Sequence, residues 1–200
     1  MKLTLIPAQY LEQSIQYPEL SLCRIVSQEK GLYRIISAEG DQLASVSGKF
    51  QHEAASPSDY PIVGDYVMAA LNGGAAVINR VLPRKSLFLR KSAGTARMEQ
   101  AVAANIDTVF ICMSLNSDFN LRRLERYLSV AWESGSLPVV VLTKADLMAS
   151  PAEVEEVRSH IDGFVGNDEL LAISDRDEAS VQRLAQIIAE GDKTAVLIGR

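Results

Sequence analysis

The sequence predicts two domains in series: an all-β barrel of the OB type, followed by an α/β domain with a parallel sheet. Short β-type segments separated by turn formers fill residues 22–81. After residue 101, strand-like and helix-like segments alternate strictly. The halves also differ in charge, because residues 1–98 hold 11 Lys and Arg against 8 Asp and Glu, whereas residues 99–200 hold 9 against 17. Opposite charges indicate different partners for the two domains.

The barrel is predicted to occupy residues 22–91, after an N-terminal segment, residues 1–21, without sustained periodicity. Polar residues 51–61 predict a long loop within it, since they include Pro and Ser rather than an apolar alternation. A sandwich and an SH3-like barrel are also compatible with the periodicity. The expected strands are 22–27, 31–37, 42–47, 64–71 and 75–81.

A basic stretch without acidic residues indicates nucleic-acid binding by the barrel. No Asp or Glu occurs from Tyr66 to Met98, and such a stretch after a small barrel is typical of proteins that contact a phosphate backbone. Tyr33, Phe50 and Tyr66 could stack on bases. The alternative is a solvated strand edge, with the aromatic rings in the core. The candidate RNA-binding residues are Arg34, Arg80, Arg84, Lys85, Arg90 and Lys91.

A linker of small residues is predicted at 92–100, and the α/β domain at 101–200. Ser150 and Pro151 give the start of one helix, as N-cap and first helical residue. The following helix is expected to turn Val181, Leu184 and Ile188 toward the core. Right-handed crossovers would make the sheet parallel. Its strands are expected at 108–113, 139–142, 170–174 and 194–198.

The second of these strands ends in Thr143-Lys144-Ala145-Asp146, at the edge where parallel sheets bind ligands. A carboxylate there can accept hydrogen bonds from N1 and N2 of guanine, an edge that adenine does not offer. Asp146 is therefore a candidate guanine-reading residue. The Lys144 stem could lie along the purine, and Thr143 could tie the turn to neighbouring loops. The alternative is an ordinary polar turn.

The next strand ends in Ser174-Asp175, which suggests a second guanine-binding loop. Guanine-binding proteins usually bring such a loop to the base, where a Ser side chain braces it and a backbone N–H meets the base O6. Ser174 fits the bracing role. Asp175 stands where Ala is usual, and a backbone donor tolerates that exchange.

No phosphate-binding loop of the form G-x-x-x-x-G-K-[ST] occurs between Met1 and Arg200. In ordinary GTPases this loop precedes the guanine motif. Here the strand at 194–198 leads into Gly199, where the first glycine of such a loop would stand.

The order of these features resembles the RsgA family, also called YjeQ, of circularly permuted GTPases for small ribosomal subunit biogenesis. The resemblance extends from about Cys23 to Gly199 and implies a P-loop GTPase-like fold in the second domain, ending at the start of the P-loop. The stretches that carry it are Gly31–Arg34, Gly64–Val67, Val81–Arg84, Ala103–Asp107, Asp118–Arg122 and Thr143–Asp146.

The resemblance implies a GTPase that assists late maturation of the 30S subunit, contacts its 16S rRNA through the OB domain and hydrolyses GTP there. Its guanine contacts would fall on Thr143, Lys144, Asp146 and the Ser174-Asp175 loop. It implies GTP or GDP with Mg²⁺, and a zinc-binding C-terminal domain with no counterpart here. Catalytic and metal-binding residues are assigned to none of these 200 residues, so the chain alone is expected to be inactive.

We expect a monomeric cytoplasmic protein without membrane association. No apolar run is long enough for a membrane span, and the N-terminus lacks a basic-then-apolar leader. Cys23 and Cys112 lie in predicted strands, without metal-ligand spacing, and are expected to be buried reduced thiols. The alternative function is a non-catalytic RNA- or ribosome-binding module whose α/β half is a degenerate nucleotide fold.

Overall fold

The computed structural model describes residues 3, 5–91, 99–163, 165, 170–188 and 194–198. The chain forms two compact units, Met1–Asn105 and Ile106–Arg200. Each unit has its own sheet or sheets and is described by itself below.

The first unit contains a closed five-stranded barrel in the order β1-β2-β3-β5-β4, which confirms the predicted OB-type fold. β1 is long enough to pair with β2 through one part and with β4 through the other, both antiparallel. β3 and β5 pair in parallel. The strands are β1 (Ser21–Glu29), β2 (Leu32–Ile36), β3 (Asp41–Val46), β4 (Tyr66–Asn72) and β5 (Ala75–Val81).

Alternating apolar residues of all five strands fill the barrel, as a strand period of two requires. The interior residues are Cys23, Ile25, Tyr33, Ile35, Ala44, Val46, Val67, Ala69, Ala76 and Ile78. A second cluster lies against the outward face of β4, where Tyr10 of α1 (Ala8–Ser14) stacks on Tyr66 with ring centroids 4.0 Å apart.

One segment of this unit contains a helix that the sequence did not indicate, and another differs from the predicted loop. The N-terminal segment contains α1, and the predicted loop 51–61 contains the end of α2 (Gly48–Glu53) and a 3-10 turn at Pro57–Asp59. Both helices are too short for a recognisable apolar period, and α1 is held by tertiary packing of Tyr10. The Ser47 side chain accepts a hydrogen bond from the Phe50 N–H and caps α2.

A two-stranded antiparallel sheet extends the first unit beyond the predicted barrel boundary at residue 91. It pairs β6 (Leu87–Lys91) with β7 (Glu99–Ala104), so Glu99 and Gln100 belong to a strand rather than to the predicted linker. Most of that linker, residues 92–98, lies outside the described residues.

The end of β7 is fixed to the turn at Gly64. This glycine has a φ of +94°, and a Cβ there would overlap the Ala104 carbonyl oxygen. Asn105 donates from Nδ2 to the Gly64 carbonyl oxygen at 3.1 Å and accepts from the Tyr10 hydroxyl at 2.7 Å. Because Asn105 is buried among these partners, the first unit continues to this residue.

The second unit contains a four-stranded sheet in the order β10-β9-β8-β11, and every neighbouring pair is parallel. This confirms the predicted α/β region. The Asn120 side chain accepts from the Arg123 N–H at the start of α3, and Gly135 ends that helix with a φ of 81°. The elements are β8 (Thr108–Ser114), α3 (Leu121–Ser134), β9 (Leu137–Thr143), α4 (Pro151–Ile161), β10 (Leu170–Ala172), α5 (Glu178–Ile187) and β11 (Thr194–Ile198).

Helix α5 is rotated relative to the sequence prediction. Val181 and Ile188, expected to face inward, are each 42% exposed. Leu184 and Ile187 instead pack on the sheet beside Phe110, Val139 and Val141. The inward stripe of α5 therefore runs through residues 180, 184 and 187, and it starts with a polar residue, Ser180.

In the described ranges of the chain, no helix is long and apolar enough to cross a membrane. Cys23 and Cys112 are free thiols, the first buried and the second half-buried. Burial raises the pKa of Cys23 to about 12, so this thiol is protonated and unreactive at neutral pH.

Candidate guanine-binding site

The predicted guanine motif lies where β9 leaves the sheet. Five residues in succession, from Pro138 to Leu142, are buried, and the chain becomes partly exposed at Thr143. Lys144 then adopts a left-handed conformation with φ 58° and ψ 38°, and a 3-10 turn of Ala145–Leu147 follows. A Cβ-bearing residue seldom adopts this conformation, which reverses the chain and turns Asp146 toward the neighbouring loop.

Backbone hydrogen bonds join this turn to the end of β10. The Ile173 N–H donates to the Leu142 carbonyl oxygen at 2.8 Å, and the Ala145 N–H donates to the Ile173 carbonyl oxygen at 3.1 Å. The two predicted loops are therefore held together by the sheet pairing itself, which continues one residue beyond β10.

Asp146 and Ser174, 28 residues apart in sequence, meet at this edge. The Ser174 hydroxyl donates to Asp146 Oδ1 at 2.8 Å, and its oxygen accepts from the Arg176 N–H at 3.1 Å. Ser174 is 7% exposed, and both its donor and its acceptor functions are used. The serine hydroxyl thus fixes one oxygen of the carboxylate and leaves the second oxygen, Oδ2, outside this bond.

Ser180, in the first turn of α5, supports the Ser174 loop from beneath. Its hydroxyl oxygen accepts from the Ser174 N–H at 3.1 Å, and the Asp177 and Ser174 carbonyl oxygens lie 2.7 and 3.2 Å away as acceptors for its proton. Sequence reasoning missed Ser180, since a serine near a helix start usually signals a cap rather than a buried support.

Arg176, also missed, places a cation beside the carboxylate. Its Nε lies 3.6 Å from Asp146 Oδ2, and its side chain is 80% exposed against 23% for Asp146. The hydrogen bond from the Ser174 hydroxyl, followed by a backbone hydrogen bond at Asp146 itself and then by the Arg176 charge, holds the pKa of Asp146 below its ordinary value. Asp146 is consequently an ionised, acceptor-only group at neutral pH, as reading two N–H donors requires.

The other predicted guanine contacts border this pair. Thr143 Oγ1 lies 3.4 Å from the Met113 carbonyl oxygen, so it links the ends of β9 and β8. Lys144 and Asp175 are exposed, one in each loop. Gly199, the predicted start of the phosphate loop, lies outside the described residues.

The structure assigns Arg84 a structural position rather than the predicted RNA contact. Its Nε and Nη2 donate to the two carboxylate oxygens of Asp65, each at 2.8 Å, and the Asp65 side chain is fully buried. Nη1 and Nη2 also donate to the carbonyl oxygens of Ser58 and Tyr60 at 2.6 and 2.9 Å. A guanidinium held by these four bonds has little capacity for a phosphate.

The remaining basic candidates do not form one cluster. Arg34 on β2 pairs with Leu43 of β3, and Leu43 pairs with Ala75 of β5. Arg80 is five residues after Ala75 on β5, which is about 16 Å along the strand. Arg34 pairs with Asp41 at 3.3 Å, and Arg80 lies over the Tyr17 ring at 5.2 Å. The Lys85 N–H donates to Asn105 Oδ1 at 2.8 Å. The side chains of Arg90 and Lys91 lie outside the described residues.

The aromatic residues predicted to stack on bases mainly serve the core. Tyr33 is 2% exposed inside the barrel, and Tyr66 is 1% exposed under α1. Phe50 is half-buried and makes an edge contact with Tyr60 at 5.8 Å between ring centroids. For Tyr33 and Tyr66 the stacking prediction is therefore wrong, because neither ring presents a face to solvent.

The comparisons with known proteins agree on one family. The family model for the RsgA GTPase matches residues 81–200. The "Small ribosomal subunit biogenesis GTPase RsgA 2" of Lactiplantibacillus plantarum is 47% identical over 146 residues, which are 72% of this chain and 41% of that protein. The RsgA 1 protein of Oceanobacillus iheyensis is 37% identical over 180 residues, 89% of this chain and 50% of that protein. The chain therefore spans half or less of the length of these relatives.

Solved structures show the same fold. YjeQ from Thermotoga maritima has a TM-score of 0.70 at 21% identity and covers 88% of this chain and 59% of its own. YloQ, described as a circularly permuted GTPase, has a TM-score of 0.68 at 17% identity, with 91% and 61% covered. Because the family model matches more than half of the residues, beginning at the end of β5 and including both loops of the candidate site, this chain belongs to the RsgA GTPase family.

Proposed function

We propose that this chain is the guanine-reading and RNA-contacting part of a cytoplasmic GTPase that assists late maturation of the small ribosomal subunit. The observation that carries the proposal is the hydrogen bond from Ser174 to Asp146, which joins two loops at the carboxyl edge of a parallel sheet. An ionised carboxylate braced by a buried serine suits recognition of the N1 and N2 donors of guanine.

In this proposal each loop has a separate task. Asp146 accepts from the guanine N1–H and N2–H groups, and the exposed Lys144 stem covers one face of the purine. The Asp175 N–H, in the loop braced by Ser174 and Ser180, donates to the base O6. Thr143 keeps the turn attached to β8. GTP or GDP with Mg²⁺ is the expected ligand of the full-length protein, and its C-terminal region would bind zinc.

The barrel unit is proposed to contact 16S rRNA through exposed basic side chains, in a monomeric protein. Arg34 and Arg80 are exposed on separate strands, and Lys85, Arg90 and Lys91 follow in the acid-free stretch. Because these contacts would be with phosphates, we expect the affinity for small subunits to fall as salt rises.

The test is the exchange Asp146→Asn in the full-length protein that includes this chain. An amide presents a donor where guanine also presents donors, whereas xanthine offers an acceptor at its 2-position. We expect GDP affinity to fall at least about tenfold, from the loss of a charge-assisted hydrogen-bond pair, and XDP affinity to rise.

Calorimetric titration with GDP, XDP and ADP measures this exchange of preference. Asp118→Asn, in the loop after β8, removes a carboxylate from the same unit and should leave the preference for GDP unchanged. If the Asp146→Asn protein retains its full preference for GDP over XDP, the guanine assignment is wrong. The non-catalytic RNA-binding module would then be the better description of the chain.

A further inference from the structure

We infer that Arg176 competes with guanine for the Asp146 carboxylate, so that this side chain lowers the affinity for guanine nucleotides while sparing adenine nucleotides. The inference rests on the proposed function, because it assigns a second residue to the same base-binding edge. Its starting point is the approach of Arg176 Nε to within 3.6 Å of Asp146 Oδ2.

The two oxygens of Asp146 have different neighbours. Oδ1 accepts from the buried Ser174 hydroxyl at 2.8 Å. Oδ2 instead faces the guanidinium of Arg176. Two parallel bonds from guanine N1–H and N2–H require both oxygens, so the base would share Oδ2 with the Arg176 cation.

The backbone keeps Arg176 close to this position. Its N–H donates to Ser174 Oγ at 3.1 Å, the same atom that donates to Asp146. This hydrogen bond holds the backbone of Arg176 beside the carboxylate, whereas the exposed side chain is free to rotate away from it. At 3.6 Å the two groups form an ion pair without a hydrogen bond. Because the Arg176 side chain is 80% exposed, water can solvate its guanidinium when it leaves the carboxylate.

These features set the size of the effect. Exposed ion pairs contribute little, so the effect on a dissociation constant is expected to be at most about fivefold. The interaction is also screened by salt, because both charges have access to solvent. Arg176 is thus expected to reduce guanine affinity modestly, and mainly at low ionic strength.

The experiment compares Arg176→Ala, Arg176→Lys and the parent in the full-length protein, by calorimetric titration with GDP and ADP at low and high ionic strength. For Arg176→Ala we expect up to about fivefold tighter GDP binding at low ionic strength and a smaller gain at high ionic strength. Arg176→Lys, which retains the cation, should stay nearer the parent. Affinity for ADP should be unchanged in both variants.

A matched control is Arg183→Ala, which removes the same charge from the exposed face of α5 and should leave GDP affinity at the parent value. Unchanged or weaker GDP binding by Arg176→Ala at low ionic strength would overturn the inference, as would an equal gain for ADP. If Asp146→Asn loses guanine preference while Arg176→Ala matches the parent, only this inference fails. If Asp146→Asn keeps guanine preference, the proposed function itself fails.

Discussion

Among single residues, Arg84 shows most clearly how a charge in the sequence can have a structural role. Its guanidinium matches the fully buried carboxylate of Asp65 with two parallel bonds of 2.8 Å and also holds two carbonyl oxygens of the segment 58–60. Taking one partner away would leave an uncompensated charge in the barrel unit, which costs far more than the loss of an exposed ion pair.

We therefore predict that Arg84→Met lowers the free energy of unfolding of the barrel unit by about 3–5 kcal/mol. Urea denaturation followed by circular dichroism measures this change. The control is Arg80→Met, which removes an exposed arginine from the same unit and should shift the free energy by less than about 1 kcal/mol. Equal stability of the two variants would contradict the structural role of Arg84 and leave it a candidate for RNA contact.

The same variant should have a characteristic pH dependence. Burial raises the pKa of Asp65, and the hydrogen bonds and charge of Arg84 oppose that rise. Without Arg84 the folded-state pKa moves further above the unfolded value, so the folded state favours the protonated acid. Destabilisation by Arg84→Met relative to the parent should therefore be smallest below the folded-state pKa of Asp65 in the parent. It should increase with pH until the pH exceeds the higher folded-state pKa of Asp65 in the variant.

Sequence reasoning could not find the role of Arg84, because the acid-free stretch begins at Tyr66, one residue after its partner. A charge count along the chain treats Arg84 and Arg80 alike. The antiparallel pairing of β4 with β5, which aligns Val67 with Val81, brings residue 65 to residue 84 and separates the buried guanidinium from the exposed one. Arg176 shows the opposite error, because sequence reasoning gave it no role. Its contact with Asp146 depends on the direction of one side chain in a loop.

At the scale of elements, α5 supports the Ser174 loop of the candidate guanine-binding site. Its inward stripe combines Leu184 and Ile187, which pack on the sheet, with Ser180, which is 2% exposed and bonded to the Ser174 backbone. The sequence prediction placed Val181 inward because an apolar residue fits a core-facing stripe better than serine. In the observed orientation, Ser180 gives the buried Ser174 N–H its hydrogen-bond acceptor.

Ser180→Ala tests this support. The change leaves the buried Ser174 N–H without its acceptor, so we predict a loss of about 1–3 kcal/mol in the free energy of unfolding of the second unit. GDP affinity of the full-length protein should fall as well, because the brace of Asp146 loosens. Chemical denaturation and calorimetric titration measure the two effects.

The control for Ser180→Ala is Ser129→Ala on α3, where an exposed hydroxyl bonds the Glu125 carbonyl oxygen of its own helix. It should change stability by no more than about 0.5 kcal/mol and leave GDP affinity at the parent value. A Ser180→Ala protein with parent stability and parent affinity would contradict the supporting role of α5.

The barrel strands, the strands of the parallel sheet and the long helices could be predicted from the sequence, whereas the short helices and the pair β6 and β7 could not. β9 could be predicted because residues 139–142 form an apolar run after Pro138, and α4 because Ser150 and Pro151 mark its start. Helices α1 and α2 have 7 and 6 residues, too few to show a period or to be stable without tertiary contacts. β7 was missed for a different reason, because its alanines have no strong β preference.

At the scale of the whole molecule, strand order brings the two loops of the candidate guanine-binding site together. β9 and β10 lie side by side and parallel, so their carboxyl ends, and hence Asp146 and Ser174, share one edge. That proximity could be predicted without coordinates. The 2.8 Å bond and the ion pair beside it could not, because they depend on loop conformation, including the left-handed Lys144.

The phosphate-binding motif of GTPases does not occur among these residues, and this leads to a prediction about GTP hydrolysis. Phosphoryl transfer depends on a phosphate-binding loop and Mg²⁺ to position and neutralise the transferring group, and residues 1–200 contain no G-x-x-x-x-G-K-[ST] sequence. The proposed guanine-reading edge would supply base selectivity but would contribute nothing at the γ-phosphate. A polypeptide of these 200 residues should therefore show no GTP hydrolysis above background, with or without small ribosomal subunits. Release of inorganic phosphate measures this, with the full-length protein as the positive control. Hydrolysis by the 200-residue polypeptide that small subunits stimulate would mean that a phosphate site exists among residues to which the sequence assigns none.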